Sequence, residues 1–108
     1  MITYDDFAKL EIKIGTILAA EVVPKSDRLL KLKVDVGEEK TRQIVSGIQE
    51  FFSDPQILVG KQSPFLTNIE PRVIHGLESQ GMILAASANE VFSLLDPVQP
   101  LPPGTHIR

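Results

Sequence analysis

Residues 30–45 have the sequence LKLKVDVGEEKTRQIV, and this stretch decides the fold of the chain. Aliphatic residues occupy every second position from Leu30 to Val36, and charged residues lie between them. This period of two is typical of a strand with one face in the core and the other in solvent. The turn-forming residues 37–40 follow, and residues 41–45 return as a second strand. The stretch therefore predicts an antiparallel hairpin with a charged outer face.

A helix and a long strand are predicted before this hairpin. Thr3 is a suitable N-cap, and the acidic residues after it favour a short helix that ends near Leu10. From Glu11 the apolar residues alternate, which predicts a strand that ends near Val23. Because the alternation changes parity after Gly15, we expect a β-bulge there.

Shorter elements are predicted after the hairpin. Residues 54–60 combine an Asp-Pro start with a glycine stop, so they predict a single very short helix between the third and fourth strands. The fourth strand is expected over residues 62–69, where Pro64 lacks a backbone N–H and indicates a sheet edge or a bulge. Apolar residues predict a fifth strand over residues 81–88 and a last strand segment over residues 91–95.

This order of elements is typical of one fold. A helix, a long strand, a hairpin, a short helix and two more strands predict an all-β domain, a five-stranded Greek-key barrel of the OB type with short helices. The proline-rich residues 97–108 cannot form a regular helix and are expected to be an extended tail. Since the chain has 108 residues, we expect one domain over residues 1–108.

Composition narrows the classes of protein further. Hydrophobic residues make up 43% and charged residues 23% of the chain, which is usual for a globular domain. The chain has no cysteine, so it has no disulfide framework and no cysteine-based metal site. Its apolar runs are too short for a membrane span, and its first residues do not resemble a secretory signal. We therefore expect a cytoplasmic protein without a membrane partner.

The charge is unevenly distributed along the chain. The formal net charge is −3, from 11 Lys and Arg against 14 Asp and Glu, which argues against attraction of the whole surface to nucleic acid. Residues 24–42 hold six basic and four acidic residues, a net charge of +2, and the rest hold five and ten, a net charge of −5. Any contact with a polyanion therefore has to use a local surface.

Enzyme signatures are missing from the sequence. Gly60 and Lys61 lack the upstream glycine of a phosphate-binding loop, and no serine has the surroundings of a nucleophile elbow. His75 and His106 are the two histidines, and they lie on a predicted turn and in the tail without metal-ligand spacing. We therefore predict no catalytic residue, no metal site and no cofactor.

Basic residues of the predicted hairpin form the first candidate binding surface. Lys31 and Lys33 project to the same side of their strand, about 7 Å apart. Arg42 on the paired strand is expected to extend this row toward successive phosphates of a nucleic acid. The same pattern is also typical of a strand face that carries lysines for solubility alone.

Residues 68–82 form the second candidate, a loop rich in glycine and in polar donors. The donors suit hydrogen bonds to a sugar, a phosphate or a splayed base; they are Asn68, Arg72, His75, Ser79 and Gln80. The alternative is a loop held by its own hydrogen bonds, with Met82 filling the core. Because the chain has only one Tyr, five Phe and no Trp, extensive base stacking is not expected, which favours recognition of a folded RNA by shape.

Several motifs resemble the tRNA-binding domain family, and the match covers essentially the whole chain. The most distinctive are Ser46-Gly47-Ile48 and Glu78-Ser79-Gln80-Gly81-Met82, beside Val59-Gly60-Lys61 and Pro102-Pro103-Gly104-Thr105. This family includes free-standing dimeric tRNA-binding proteins, the C-terminal domain of methionyl-tRNA synthetases and cytokine-like synthetase cofactors.

The resemblance implies an OB-fold homodimer that grips the outer corner of tRNA by shape and without chemistry. It implies that Lys31, Lys33 and Arg42 contact the RNA backbone. It also implies a loop and strand signature, carried here by Asn68, Arg72, Ser79, Gln80 and Met82. Because the module fills the chain, we expect a free-standing protein.

Departures from the family pattern leave other functions open. Relatives often carry basic or neutral residues where this chain has Glu70, Val73 and His75, so RNA binding is expected to be weaker or more pH-dependent. A chaperone-like relative of the same fold suggests a protein-binding module as the alternative. A further possibility is a subunit that docks on an aminoacyl-tRNA synthetase and delivers tRNA to it.

Overall fold

The structure, a computed structural model, describes residues 1–108. It contains one short α-helix, two 3₁₀ helices and nine strands, mostly short. Their bounds are α1 Tyr4–Ala8, β1 Ile12–Val22, β2 Leu30–Asp35, β3 Arg42–Ser46, 3₁₀ helices Gln49–Phe51 and Pro55–Leu58, β4 Gln62–Leu66, β5 Arg72–Ile74, β6 Leu77–Ser79, β7 Met82–Ile83, β8 Ala85–Ala88 and β9 Val91–Leu94.

Five antiparallel strands form the body of the domain in the order β3-β2-β1-β4-β7. The sheet curls into a nearly closed barrel, because the first strand in this order meets the chain that leads into the last. The Gln80 N–H donates to the Gln43 carbonyl at 2.8 Å, and the Val45 N–H donates to Ser79 Oγ at 3.0 Å. The predicted all-β, OB-like fold is therefore confirmed.

The alternating segment of β2 lines the barrel as predicted. Leu30, Leu32, Val34 and Val36 are each no more than 1% exposed, and Phe65 of β4 is fully buried against the same core. Burying such a side chain contributes about 1.5–3 kcal/mol. The regular alternation fixes which face of β2 points outward, because a slip of one residue would move the aliphatic side chains into solvent.

The bulge of β1 lies at Leu18, so the prediction at Gly15 is wrong. The register against β2 shifts between Ile17 and Ala19, whereas the pairing with β4 is regular around Gly15. Gly15 is explained by packing, since a Cβ there would lie 2.7 Å from the Val34 side chain. The buried residues do change parity between Ile14 and Ile17, as the sequence indicated, and they change it again between Ile17 and Ala20, at the bulge.

The interpretation of Pro64 as an edge or bulge residue is also wrong. Pro64 lies within β4, between β1 and β7, and pairs with Ile14. The Ile14 N–H donates to the Thr105 carbonyl at 2.8 Å, and its carbonyl accepts from the Gly104 N–H at 2.7 Å. Because Ile14 bonds to the tail instead, the missing N–H of Pro64 removes no bond between β1 and β4.

Helical segments follow the sequence with one addition. Thr3 and Asp6 form a capping box at the start of α1, and Asp54 Oδ1 accepts from the Gln56 N–H at 3.0 Å to cap the second 3₁₀ helix. A further 3₁₀ helix at Gln49–Phe51 makes two helical segments where one was predicted. No helix of the structure is long and apolar enough to cross a membrane.

The strand predicted over residues 81–88 is two strands. It breaks at Leu84, whose N–H donates to the Pro64 carbonyl at 3.0 Å. Before the break β7 closes the barrel, and after it β8 pairs with β9 in a separate hairpin. The fourth strand ends at Leu66 rather than at residue 69. The Thr67 N–H donates to the Glu11 carbonyl at 2.9 Å, which continues the pairing with β1 by one residue.

The tail is extended, as predicted, and it extends the sheet along the first half of β1. The Ile107 N–H donates to the Ile12 carbonyl at 2.8 Å, next to the bonds at Ile14. Gly104 has a φ of +90°, and a Cβ there would lie 2.7 Å from the Val36 carbonyl oxygen. Only glycine permits this approach of the tail to the end of β2.

Candidate nucleic-acid interface

Two lysines project from the outer face of β2, on either side of the buried Leu32. Lys31 lies opposite Glu21 of β1, with 3.6 Å between Nζ and Oε2. Lys33 is exposed and makes no ion pair. Such exposed pairs contribute little to stability, so both ammonium groups remain available to an anion.

These lysines lie on a concave surface, which we call the lysine cleft. The cleft has a volume of about 370 Å³ and is mostly polar. Its lining consists of Ala19, Glu21, Lys31, Leu32, Lys33, Thr41, Arg42, Gln43 and Gln80.

The register of β2 and β3 corrects the predicted row of bases. Gln43 lies opposite Lys33, and Arg42 lies opposite the buried Val34. Facing residues of paired strands share a side of the sheet, so Gln43 and not Arg42 continues the outer row beside the lysines. The sequence showed where the turn lies but not which residue of the return strand faces Lys33.

Arg42 instead makes internal contacts near the closure of the barrel. Its Nε and Nη2 donate to the two carboxylate oxygens of Glu38 at 2.7 Å each. Its Nη1 donates to the carbonyl oxygens of Thr67 at 2.6 Å and Gln80 at 3.0 Å. The hydrogen bond from Arg42 lowers the pKa of Glu38, and the same bond raises the pKa of Arg42. Arg42 therefore joins the β2–β3 turn to the chain on both sides of residues 68–79.

Polar side chains of the loop signature also make internal bonds. Asn68 accepts from the Glu11 N–H at 2.8 Å and donates to the Lys9 carbonyl at 2.7 Å. Ser79 is 4% exposed, and its hydroxyl donates to the Gly81 carbonyl at 2.9 Å while it accepts from β3. Gln80 Oε1 accepts from the Gln43 N–H at 2.9 Å. Each of these side chains positions backbone.

The other signature residues are exposed on or beside a hairpin that the sequence did not predict. Strands β5 and β6 pair through a turn at His75 and Gly76, which have φ values of +53° and +78°. Two consecutive positive φ values are typical of a type I′ turn. Arg72 lies at the start of the hairpin and Met82 just after it, and both line a small hollow of about 60 Å³.

The predicted site residues therefore divide into separate places. Lys31, Lys33, Arg42 and Gln80 line one cleft, while Arg72, Ser79 and Met82 line the hollow beside the hairpin. Asn68 follows β4, and its side chain bonds to the segment between α1 and β1. His75 lies at the tip of the hairpin of β5 and β6.

Sequence reasoning missed Glu21, Thr41 and Gln43 of the lysine cleft. Glu21 faces Lys31 across β1 and β2, a register that depends on the bulge at Leu18. The predicted turn over residues 37–40 would have placed Ile44 opposite Lys33. Gln43 takes this position because the turn is centred on Glu38, half a residue earlier than predicted.

The cleft offers ammonium and amide groups, which can bind phosphate and ribose oxygens without a reaction. No group of three or more His, Asp and Glu side chains is placed to hold a metal ion. A barrel of this form with a polar, lysine-bearing cleft on β2 and β3 defines an OB-type binding domain.

Comparison with known proteins identifies the family. The family described as "Putative tRNA binding domain" matches residues 12–106. The chain belongs to this tRNA-binding domain family, as the motifs indicated.

Relatives of two kinds are similar to the chain. It is 57% identical over 108 residues to the methionine–tRNA ligase of Methanoregula boonei, matching 100% of the chain and 16% of that enzyme. The crystal structure of the MetRS related protein from Pyrococcus horikoshii has a TM-score of 0.91 and 32% identity, covering 100% of this chain and 98% of that one. That of the chaperone CsaA from Bacillus anthracis str. Ames has a TM-score of 0.87 and 30% identity, covering 100% and 99%.

Proposed function

We propose that this domain is a non-catalytic binder that holds the backbone of folded tRNA at its outer corner, by shape rather than by base sequence. The observation that carries the proposal is the lysine cleft, where Lys31 and Lys33 project side by side from the rigid β2 strand. Their spacing of about 7 Å suits contacts with a charged backbone. The chain spans about a sixth of the length of the methionine–tRNA ligase it matches, so no ligase activity is transferred to it.

The site residues have different proposed roles. Lys31 and Lys33 contact phosphates, and Arg42 adds a contact at the end of the cleft. Arg72, His75 and Met82 form a second contact from the exposed hairpin. Positioning roles are proposed for the internally bonded side chains, namely Asn68, Ser79 and Gln80.

We propose that two copies of the domain form a homodimer, which would present two clefts to one RNA. Exposed apolar residues of the tail support this, since Val98 is 100%, Leu95 43% and Leu101 38% exposed. The exposed Ile2 and Tyr4 of the N-terminal segment are candidates for the same contact. Light scattering of Val98→Asp beside the unmodified chain tests this, because a charge at the contact would halve the measured mass while the mass of a monomer would not change.

A chaperone-like protein-binding function is the second candidate. An apolar cleft of about 390 Å³ lies between β9 and the two 3₁₀ helices. Its lining includes Phe51, Phe52, Phe92 and Leu94. Phe51 is 45% exposed although it stacks on Phe92 with ring centroids 4.1 Å apart. The similarity to the chaperone CsaA supports this candidate.

Association with an aminoacyl-tRNA synthetase is compatible with either function, and the similarity to methionine–tRNA ligases supports it. In that arrangement the lysine cleft would hold tRNA in the cytoplasm while another surface contacts the enzyme.

Fluorescence anisotropy with labelled bulk tRNA tests the proposed function. Binding is measured at about 50 and 200 mM salt, beside an unstructured RNA and an unfolded polypeptide. If Z phosphates are contacted, log K falls against log salt with a slope of about −0.7Z to −0.9Z. An apolar groove that holds a polypeptide should give a nearly flat dependence.

Saturable, salt-sensitive binding that favours tRNA over the unstructured RNA supports the proposal. Equal binding of the two RNAs would contradict recognition by shape. Binding of the polypeptide alone would favour the chaperone-like function.

A further inference from the structure

Glu38 covers the one edge of Arg42 that is not fixed to the barrel. It lies in the turn between β2 and β3, and its carboxylate accepts two parallel bonds of 2.7 Å from Arg42. The opposite side of the guanidinium donates to the Thr67 and Gln80 carbonyls. The edge that faces Glu38, made of Nε and Nη2, can bind a carboxylate or a phosphate in the same bidentate manner.

The carboxylate can leave this edge without moving the arginine. The side chain of Glu38 is 38% exposed and that of Arg42 is 22% exposed. No other hydrogen bond holds the Glu38 carboxylate, whereas two carbonyl oxygens hold Nη1 of Arg42. Because Arg42 lowers the pKa of Glu38, this carboxylate is ionised at neutral pH and competes with any external anion.

The surroundings of the pair are suited to a polyanion. Arg42 lines the lysine cleft on one side and, together with Glu38 and Lys40, a second concave surface of about 450 Å³ on the other. Lys13 is close enough for its charge to contribute to the lowered pKa of Glu38. When Glu38 is displaced, the charge of Arg42 adds to those of two nearby lysines.

We propose that Glu38 is a built-in competitor for an RNA phosphate, and that RNA binding exchanges its carboxylate for a backbone phosphate at Arg42. This inference rests on the proposed tRNA binding and adds an affinity-determining residue to it. In the unmodified protein the phosphate replaces the Glu38 carboxylate at Arg42. The number of ionic contacts that Arg42 makes therefore does not increase when RNA binds. Without Glu38 the contact is direct and adds one full ionic interaction.

The matched pair Glu38→Gln and Glu39→Gln tests this proposal. Both variants change the net charge from −3 to −2, but Glu39 makes no ion pair and no side-chain hydrogen bond. Anisotropy with labelled bulk tRNA is measured for both at about 50 and 200 mM salt. We expect Glu38→Gln to bind about three- to tenfold more tightly than Glu39→Gln, with a slope steeper by about 0.7–0.9.

A second measurement uses the unmodified protein, so that the test does not depend on the folding of Glu38→Gln. The Nε–H resonance of Arg42 is followed by NMR while bulk tRNA is added. Exchange of Glu38 for phosphate should shift this resonance in proportion to saturation.

Three other outcomes overturn the inference. If the unmodified chain binds tRNA but Glu38→Gln matches Glu39→Gln or binds more weakly, Glu38 is only a structural partner of Arg42. An Arg42 resonance that stays fixed at saturation leads to the same conclusion. If neither the unmodified chain nor Glu38→Gln binds tRNA, the proposed function fails together with this inference.

Discussion

The lysine cleft and the loop signature contain similar polar residues but use them differently. In the cleft, Lys33 has no partner and Lys31 has one distant, exposed partner. In the signature, the side chains of Ser79 and Asn68 form hydrogen bonds with backbone groups of the same chain. A side chain with a free charge can bind a ligand, whereas one that satisfies buried backbone holds the ligand-binding surface in place. A family motif can therefore report the scaffold as well as the contact surface.

The largest effect is expected for Ser79→Ala, which should lower the stability of the fold rather than the affinity for tRNA. Its hydroxyl is the partner of the Val45 N–H and the Gly81 carbonyl, so its loss leaves buried polar groups unpaired and lowers the free energy of unfolding by about 1–3 kcal/mol. Urea denaturation measures this loss. Below the transition the tRNA affinity should stay unchanged, and a loss of affinity without a loss of stability would make Ser79 a contact residue.

The double variant Lys31→Ala/Lys33→Ala is expected to lower the affinity for tRNA and to leave the stability of the fold almost unchanged. Removing two phosphate contacts should weaken tRNA binding about tenfold at 50 mM salt and reduce the salt slope by about two, with little change in stability. Anisotropy measures both quantities. Lys9→Ala/Lys61→Ala is the matched control, because it removes the same charge outside the cleft. If the two double variants lower the tRNA affinity and the salt slope equally, the lysines of the cleft contribute no more to binding than other surface lysines.

A smaller effect concerns the pH dependence of stability. Arg42 lowers the pKa of Glu38 below its ordinary value of 4.5, so the pair stabilises the fold above that pH, and this contribution is lost as the pH falls through the lowered value. Since the carboxylate is partly exposed, we expect at most about 1 kcal/mol. Denaturation of the unmodified chain and Glu38→Gln at pH 7 and pH 3 measures it. The stability difference between the two proteins should shrink at pH 3, and a difference independent of pH would contradict the ionic origin.

The smallest effect is expected at the hairpin tip. His75 has a φ of +53°, which asparagine adopts more easily, so His75→Asn should raise stability by about 0.5 kcal/mol. Comparing tRNA binding of both proteins at pH 6 and pH 8 tests whether the histidine charge contributes to affinity. If only the unmodified chain binds tRNA more tightly at pH 6 than at pH 8, His75 contacts the RNA. If the affinities of both proteins depend on pH in the same way, the hairpin tip lies outside the interface.

The fold was predictable where one local pattern dominates. The alternation of β2 and the capping residues Thr3 and Asp54 each act within a few residues, and their elements are confirmed. The errors arose where a distant segment decides the local structure. Gly15 is required by side chains of other strands, and Pro64 is accommodated because the tail bonds to its partner strand.

Of the candidate site, the sequence by itself determined the outward direction of Lys31 and Lys33, because their neighbours are aliphatic and a strand has a period of two. It also determined the family, through motifs that the whole chain preserves. Only the tertiary structure decided that Gln43 rather than Arg42 stands beside Lys33, because strand register is set by pairing across a turn. It also decided that Arg42, Asn68 and Ser79 bond to distant parts of the chain, since each of them has a partner 25 to 59 residues away. Contacts at that separation arise from closure of the barrel, and no local pattern encodes them.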